Sequence, residues 1–202
     1  VETSYAGSGG TKSLAVTYDV AASGSWGGGP GYAGVTHDLP TPQDWSANTG
    51  FSFWFAGSNT GADLRVELKS DGADPANSNR YEFTFTDDST DWKLISIPWS
   101  SFSQRLDYNP GPSPADPINL AAMWGYSILI PGGAAGTFYA DEFSAYQNNE
   151  LPIDDFENGL PIGTDSNGIQ IGFVTFQDLN SSVAISTTDA PPAPAPNTTS
   201  PN

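Results

Sequence analysis

Hydrophobic and polar residues alternate with a period of two along most of this chain. The early apolar positions are Leu14, Val16, Tyr18 and Val20, then Phe51, Phe53 and Phe55, then Leu64, Val66 and Leu68, and then Tyr81, Phe83 and Phe85. This period predicts β-strands with one buried face. Residues 92–97 and 137–146 are predicted as further strands. Residues 123–130 are mostly apolar, which is expected of a strand buried on both faces.

Turn residues separate these segments, notably at 27–31, 71–72, 110–117 and 131–133. No long window has a helical stripe, and only residues 99–102 are predicted to form a short helical turn. Strands at this spacing without intervening helices predict an all-β protein. The expected fold is an antiparallel β-sandwich of the jelly-roll kind.

The last quarter of the chain differs from the rest. Three more strands are predicted at 153–157, 169–176 and 183–186, and residues 189–202 are rich in Pro, which favours extended, solvated chain. We therefore divide the chain into residues 1–146, the main part of the sandwich, and residues 147–202, which have a Pro-rich end.

The chain is strongly acidic, with 6 Lys and Arg against 23 Asp and Glu and a net charge of −17. Nucleic acids and anionic membranes bind clustered Lys and Arg, so neither is an expected partner. No apolar run reaches the roughly 18 residues of a membrane span. Cysteine is absent, which excludes disulfides. We expect an extracellular or cell-surface protein, in which a bound metal such as calcium replaces disulfides as a stabilising group.

Arg105, Asp107 and Tyr108 lie close together between a predicted strand and a Pro/Gly-rich loop. Arg offers a planar fork of donors, Asp offers acceptors, and Tyr offers a flat face with a hydroxyl, which together can hold a sugar. The same three residues also fit a surface ion pair beside a packing Tyr, so composition alone leaves both interpretations open.

Signals for catalysis are missing from the sequence. No two carboxylates stand out as the flanking pair that a glycosidase needs. His37 is the only histidine and has no nucleophile motif to serve, so it is expected to be a surface or packing residue. We therefore predict that the protein is not an enzyme.

Several short motifs follow one another between about residues 11 and 146. They are the strand at 13–18, the strand and loop at 31–34 and 38–40, the segment 92–102 that leads to Arg105-Leu106-Asp107-Tyr108, and the strand at 138–143. In this order they resemble the family 11 carbohydrate-binding modules and the relatives of that module appended to bacterial exo-β-glucanases.

The resemblance implies a jelly-roll β-sandwich of the galactose-binding-like kind that binds β-1,3/1,4-linked glucans in a cleft. It places Arg105, Asp107, Tyr108 and Tyr32 where the family contacts sugar. The segment 124–130 departs from the family pattern, because Trp124 and Ile130 stand near the positions expected for an acid and a Tyr. This departure from the family pattern implies that the cleft is altered or lost.

The resemblance further implies structural calcium, which prefers carboxylate and carbonyl oxygens. The expected ligands are Asp141 and Glu157, with Asp155 behind them. Carbonyls of residues 9–12 would contribute by the family pattern. This site requires that Glu157 reach Asp141 within one domain or across two copies.

The motif Asp154-Asp155-Phe156-Glu157 resembles the opening strand of the family, yet here it follows the closing strand. Residues 147–202 are thus expected to supply the opening strands in permuted order, to exchange strands with a neighbouring copy, or to begin a second copy.

The expected function is a non-catalytic carbohydrate-binding module for β-glucans, secreted or attached to a larger protein, whose partner is a polysaccharide. The alternative is a structural subunit of an extracellular filament or sheath, self-associated through donor-strand exchange.

Overall fold

The computed structural model describes residues 12–24, 29–112, 117–146, 151–154, 156–166 and 168–188. These residues contain thirteen strands: β1 (Ser13–Asp19), β2 (Tyr32–Gln43), β3 (Gly50–Ala56), β4 (Asp63–Ser70), β5 (Asn79–Thr86), β6 (Lys93–Pro98), β7 (Ser103–Gln104), β8 (Met123–Pro131), β9 (Ala135–Tyr146), β10 (Leu151–Asp154), β11 (Ile162–Thr164), β12 (Gln170–Gln177) and β13 (Ser182–Thr188). Two single-turn 3-10 helices, Pro75–Asn77 and Trp99–Ser101, are also described. The second confirms the predicted helical turn.

The strands form two antiparallel sheets. Sheet A has the order β13-β1-β9-β3-β6, with β10 beside the second half of β9. Sheet B has the order β11-β12-β2-β8-β4-β5-β7. The predicted antiparallel β-sandwich is confirmed. Among the described residues, no helix is long and apolar enough to cross a membrane.

Aromatic rings fill the space between the sheets. Phe53 and Phe143 of sheet A stack with ring centroids 5.0 Å apart, and Tyr126 of sheet B stacks on Phe143 at 4.6 Å. All three side chains are buried. Such pairs add about 0.5–1.5 kcal/mol each beyond the area that they bury, so the aromatic residues compensate for the scarcity of Leu and Ile.

Strands from the last quarter of the chain lie in both sheets. β10 pairs with β9, β13 pairs with β1, and β12 pairs with β2. The predicted strand at 153–157 is found slightly earlier, because Phe156 adopts a φ of +59° and leaves the ladder to pack against Phe173 in the core.

A buried polar contact also joins this part of the chain to sheet B. The Asp154 carboxylate accepts a hydrogen bond of 2.6 Å from the Tyr126 hydroxyl and lies 2.6 Å from Nδ1 of His37. His37 is buried and stacked on Phe173. His37 is thus a packing residue that helps to tie β10 to β2.

The core fixes which side chains sheet B presents on its other face. In β4, Leu64, Val66 and Leu68 are fully buried in the core. Because strand side chains alternate, Arg65, Glu67 and Lys69 must lie on the opposite face. We call this face of sheet B, away from the core, the outer face.

Candidate functional site

The outer face concentrates the positive charge of an acidic protein. Four of the six Lys and Arg residues of the chain place their charged groups there. Each is paired with a carboxylate: Arg65 with Glu82, Lys69 with Asp38, Arg80 with Glu67, and Arg105 with Glu67 and Asp107. Four cations and four carboxylates balance, so the face is polar but close to neutral, which suits an uncharged ligand with many hydroxyls.

Arg105 is the centre of this arrangement. It follows β7, and its main-chain N–H donates to the Arg80 carbonyl at 2.9 Å, which places it against the edge of β5. Its guanidinium donates from Nη1 to Oε2 of Glu67 at 2.7 Å. It also donates from Nε and Nη2 to the two oxygens of Asp107, at 2.7 and 3.2 Å. Since Arg carries five N–H donors, the contacts with described residues leave two for a ligand.

Hydrogen bonding fixes the charge state of this pair. Burial alone would lower the pKa of Arg105, but the hydrogen bonds that Arg105 donates to Asp107 and Glu67 outweigh burial and raise that pKa. The hydrogen bond from Arg105 in turn lowers the pKa of Asp107. Both groups are therefore charged at neutral pH.

Tyr108 completes the cluster. The Arg105 guanidinium carbon lies 5.4 Å from the centre of the Tyr108 ring, a cation–π contact. The Tyr108 side chain is 52% exposed and the Asp107 side chain is 62% exposed. A flat ring thus stands in solvent beside a fixed donor and acceptor, and this arrangement can stack on a sugar ring while its hydroxyls are hydrogen-bonded.

Tyr32 lies on the same face but not in the same cluster. It begins β2, is 45% exposed, and points away from the core because its neighbour Ala33 is buried. Four strand spacings separate β2 from β7, which is roughly 19 Å at about 4.8 Å each. Of the four predicted sugar contacts, Arg105, Asp107 and Tyr108 lie together in one cluster, and Tyr32 lies on β2, with three strands between β2 and β7.

The departures noted in β8 have clear structural positions. Ile130 is buried in the core and contributes nothing to the outer face. Trp124 is partly buried, and its indole N–H has no hydrogen-bond partner among the described residues.

Several residues of the face were missed in the sequence. Glu67, Lys69 and Arg80 are each at most 5% exposed, although they lie on the side away from the core. The available signal was the alternation itself, since a charged residue follows each of Leu64, Val66 and Leu68 in the sequence. The late strand β12 adds Phe176, whose ring covers Gly34 of β2 closely enough that no side chain fits there.

Asp141 and Glu157, two of the expected calcium ligands, lie near the junction of β1, β9 and β10 in sheet A. β1 pairs with β9 as far as Ala140, and β10 pairs with β9 from Phe143 onward, so Asp141 lies between the two strand ends. Asp141 is 5% exposed. Oε1 of Glu157 accepts a hydrogen bond from the main-chain N–H of Lys12 at 2.7 Å, which brings Glu157 to the start of β1.

The chemistry of these donors fits calcium, because a buried carboxylate and a second carboxylate lie beside main chain. Among the described residues, no group of three Asp, Glu, His or Cys side chains assembles as a metal site. The third expected ligand, Asp155, lies outside the described residues.

Comparison with known proteins agrees with this fold. The model of the carbohydrate binding domain, family 11, matches residues 3–148. The protein is thus a carbohydrate-binding module, a class that is not catalytic. Within that class, the chain belongs to family 11.

Two solved structures are similar over most of this region. One is the family 11 module of the cellulosomal cellulase Lic26A-Cel5E of Clostridium thermocellum, at 25% identity over 69% of this chain and 83% of that chain, with a TM-score of 0.49. The other is a family 11 module from Clostridium thermocellum in complex with a β-1,3-1,4-mixed-linked tetrasaccharide, at 24% identity over 69% and 84%, with a TM-score of 0.51. Comparison with curated proteins gives no match.

Proposed function

We propose that this module binds β-glucans, of the mixed β-1,3-1,4-linked class, along the outer face of sheet B. In this proposal the exposed Tyr108 ring stacks on a glucose ring. The free N–H groups of Arg105 and the exposed oxygens of Asp107 hydrogen-bond its hydroxyls. The observation that carries the proposal is the fixed Arg105–Asp107–Tyr108 cluster, in a chain of family 11.

The charges of the face favour a neutral polysaccharide. Every cation of the face already has a carboxylate partner, so an anionic polymer gains little there. The net charge of −17 also repels anionic chains at low salt. A neutral glucan avoids both penalties and can use the exposed hydrogen-bonding groups.

The electrostatics of Asp107 also agree with a binding role. A glycosidase needs a carboxylic acid that stays protonated near neutral pH, which requires a raised pKa. The carboxylate of Asp107 has the opposite shift, because Arg105 lowers its pKa. This side chain is suited to accept hydrogen bonds and unsuited to donate a proton to a leaving group.

Isothermal titration calorimetry with a mixed-linked β-1,3-1,4 tetrasaccharide tests the proposal. Tyr108→Ala is expected to weaken binding about tenfold, since an exposed aromatic contact of this kind contributes more than 1 kcal/mol. Tyr108→Phe keeps the ring and is expected to bind within about twofold of the unchanged protein.

Two results would count against this function. One is the absence of binding to any soluble β-glucan by the unchanged, folded protein. The other is an unchanged affinity after Tyr108→Ala.

We further propose that Asp141 and Glu157 hold a structural calcium ion. The support is that both residues lie near the junction of β1, β9 and β10, with Asp141 buried in a protein that has no disulfides. Bound there, calcium would fasten the start of β1 to the end of β10. The calcium ion would stabilise the fold and would take no part in a reaction.

We also infer that residues 147–202 supply the opening strands of this same module in permuted order. The pairing of β10, β12 and β13 with strands of residues 1–146 supports this inference. The filament alternative stays a prediction that size-exclusion chromatography tests, since it requires long polymers and the module requires compact monomers. Extracellular or cell-surface location also stays a prediction.

A further inference from the structure

Glu67 is an unusual residue for the face that it occupies. It lies at the centre of β4, on the side away from the core, yet it is 4% exposed. A buried carboxylate is stable only when hydrogen bonds and opposite charges compensate for lost water. Glu67 has such partners in Arg105 at 2.7 Å, Arg80 at 3.4 Å and the Ser127 hydroxyl at 3.4 Å.

We propose that Glu67 is a positioning residue, which holds the Arg105 guanidinium in the orientation that binds sugar. The inference rests on the proposed function and adds to it a residue outside the predicted set of sugar contacts. Glu67 does this from beneath Arg105, without needing to touch the ligand.

The first argument concerns which partner of Arg105 is rigid. Asp107 also binds Arg105, but it lies in a loop and its side chain is 62% exposed. Glu67 belongs to a strand paired on both sides, with Glu82 of β5 and Ser127 of β8 opposite it. A contact anchored on a sheet fixes geometry better than one anchored on a loop, and a prearranged group loses less entropy on binding.

The second argument concerns what holds Glu67 itself. Arg80 is 4% exposed and donates to the carbonyls of Ser78 and Pro75, both at 2.9 Å. Its remaining edge faces Oε1 of Glu67. The main-chain carbonyls therefore hold Arg80, Arg80 holds Glu67, and Glu67 holds Arg105.

The third argument concerns the contacts on the other side of the Glu67 carboxylate. The Ser127 hydroxyl lies 3.4 Å from Oε1 of Glu67 and 3.0 Å from the Thr36 hydroxyl, and its one proton can be donated to either oxygen. Oε1 of Glu67 thus lies between Arg80 of β5 and Ser127 of β8, which leaves Oε2 to face Arg105. Arg105 meets a carboxylate with one defined orientation.

Glu67→Gln is the variant that tests this role, because it keeps the shape and one acceptor oxygen but removes the charge. Calorimetric titration with the mixed-linked tetrasaccharide is expected to show about tenfold weaker binding, because the ion pair with Arg105 becomes a weaker hydrogen bond to a neutral amide. The matched control is Asp87→Asn. Asp87 is fully buried and accepts from the main chain of Asn59 and Thr60, away from Arg105. The Asp87→Asn variant is expected to have a lower melting temperature but to bind the tetrasaccharide within about twofold of the unchanged protein.

A double-variant cycle separates positioning from general structure. If Glu67 acts through Arg105, then Glu67→Gln has little further effect in a protein that already carries Arg105→Ala, measured with a polymeric soluble glucan to keep weak binding visible. The same loss of affinity in both backgrounds overturns the positioning role. Unchanged affinity in Glu67→Gln, with binding lost in Arg105→Ala, also overturns it and leaves the proposed function standing. Absence of binding in the unchanged protein overturns the proposed function instead.

Discussion

Lys69 and Asp38 form a buried ion pair at the edge of the network described above. The Lys69 ammonium donates to Oδ1 of Asp38, and Lys69 is 5% exposed. Removing one partner of a buried pair leaves the other charge uncompensated, which is more damaging than removing both. Asp38→Asn is therefore expected to lower the free energy of unfolding by about 3 kcal/mol or more.

This destabilisation is expected to depend on pH in a defined direction. Burial lowers the pKa of Lys69, and Asp38 opposes that shift. Without Asp38 the folded-state pKa falls further, so between that pKa and the ordinary value of about 10.4 the unfolded chain binds more protons than the folded one. The free energy of unfolding then rises with pH, and the deficit of Asp38→Asn shrinks as pH approaches 10.

Urea unfolding at several pH values measures this effect. The control is the double variant Asp38→Asn/Lys69→Met, which removes both charges and is expected to be more stable than Asp38→Asn alone. A deficit that stays constant or grows with rising pH would show that Lys69 is not the group responsible.

The strands show how much of the structure can be predicted from the alternation of hydrophobic and polar residues. It located the core positions of β3, β4 and β5, because burial on one side of a sheet leaves a direct trace in sequence. It also contained the outward positions Arg65, Glu67 and Lys69, which sequence analysis did not use. Local alternation gives the face of a side chain, but it does not give the neighbours across strands.

Those neighbours depend on long-range register. Glu67 meets Ser127 because β4 pairs with β8, which is 60 residues later. Tyr32 was grouped with Arg105 by resemblance, yet three strands lie between β2 and β7 in sheet B. Only the order of strands in the sheet reveals that the strand of Tyr32 is not adjacent to β7.

The junction of β1, β9 and β10 carries the calcium prediction. At Asp141 the β3–β9 register shifts and Glu142 adopts a φ of +50°, so strand β9 is irregular at this junction. A ligand present at 100 times its dissociation constant stabilises a protein by about 2.7 kcal/mol. Chelation is therefore expected to lower the melting temperature by about 5–10 °C.

Differential scanning calorimetry with and without excess chelator measures this shift, and added calcium is expected to reverse it. Asp141→Asn should abolish the response, whereas Asp107→Asn at the outer face should retain it. A melting temperature that is the same with chelator and with calcium would contradict the site.

At the scale of the whole molecule, the strands of residues 147–202 are divided between the two sheets. β13 borders β1 in sheet A, and β12 borders β2 in sheet B. Sequence predicted strands in this region but left three arrangements open, because the same backbone pairing can form within one chain or between two. Chain order alone does not distinguish them, since strand pairing depends on geometry and not on which strand comes first.

The pairing of β1 with β13 makes a specific permutation testable. Ser13, at the start of β1, lies opposite Thr188, at the end of β13. A chain rearranged to begin at Leu151, with Asn202 joined directly to Val1 and with its end at Tyr146, keeps every described strand and makes β13 and β1 consecutive. The entropic penalty of closing the new connection between β13 and β1 rises only slowly with its length. This chain is therefore expected to melt within a few degrees of the original and to bind glucan equally.

The comparison chain contains residues 1–146 alone. It leaves the edges of β1 and β2 unpaired and removes Phe156 and Phe173 from the core, so it is expected to be unfolded or aggregated. Circular dichroism and size-exclusion chromatography distinguish these outcomes. If the shortened chain folds as a stable monomer, or if the rearranged chain does not fold, then residues 147–202 are not the opening strands of this module, and the permuted order is wrong.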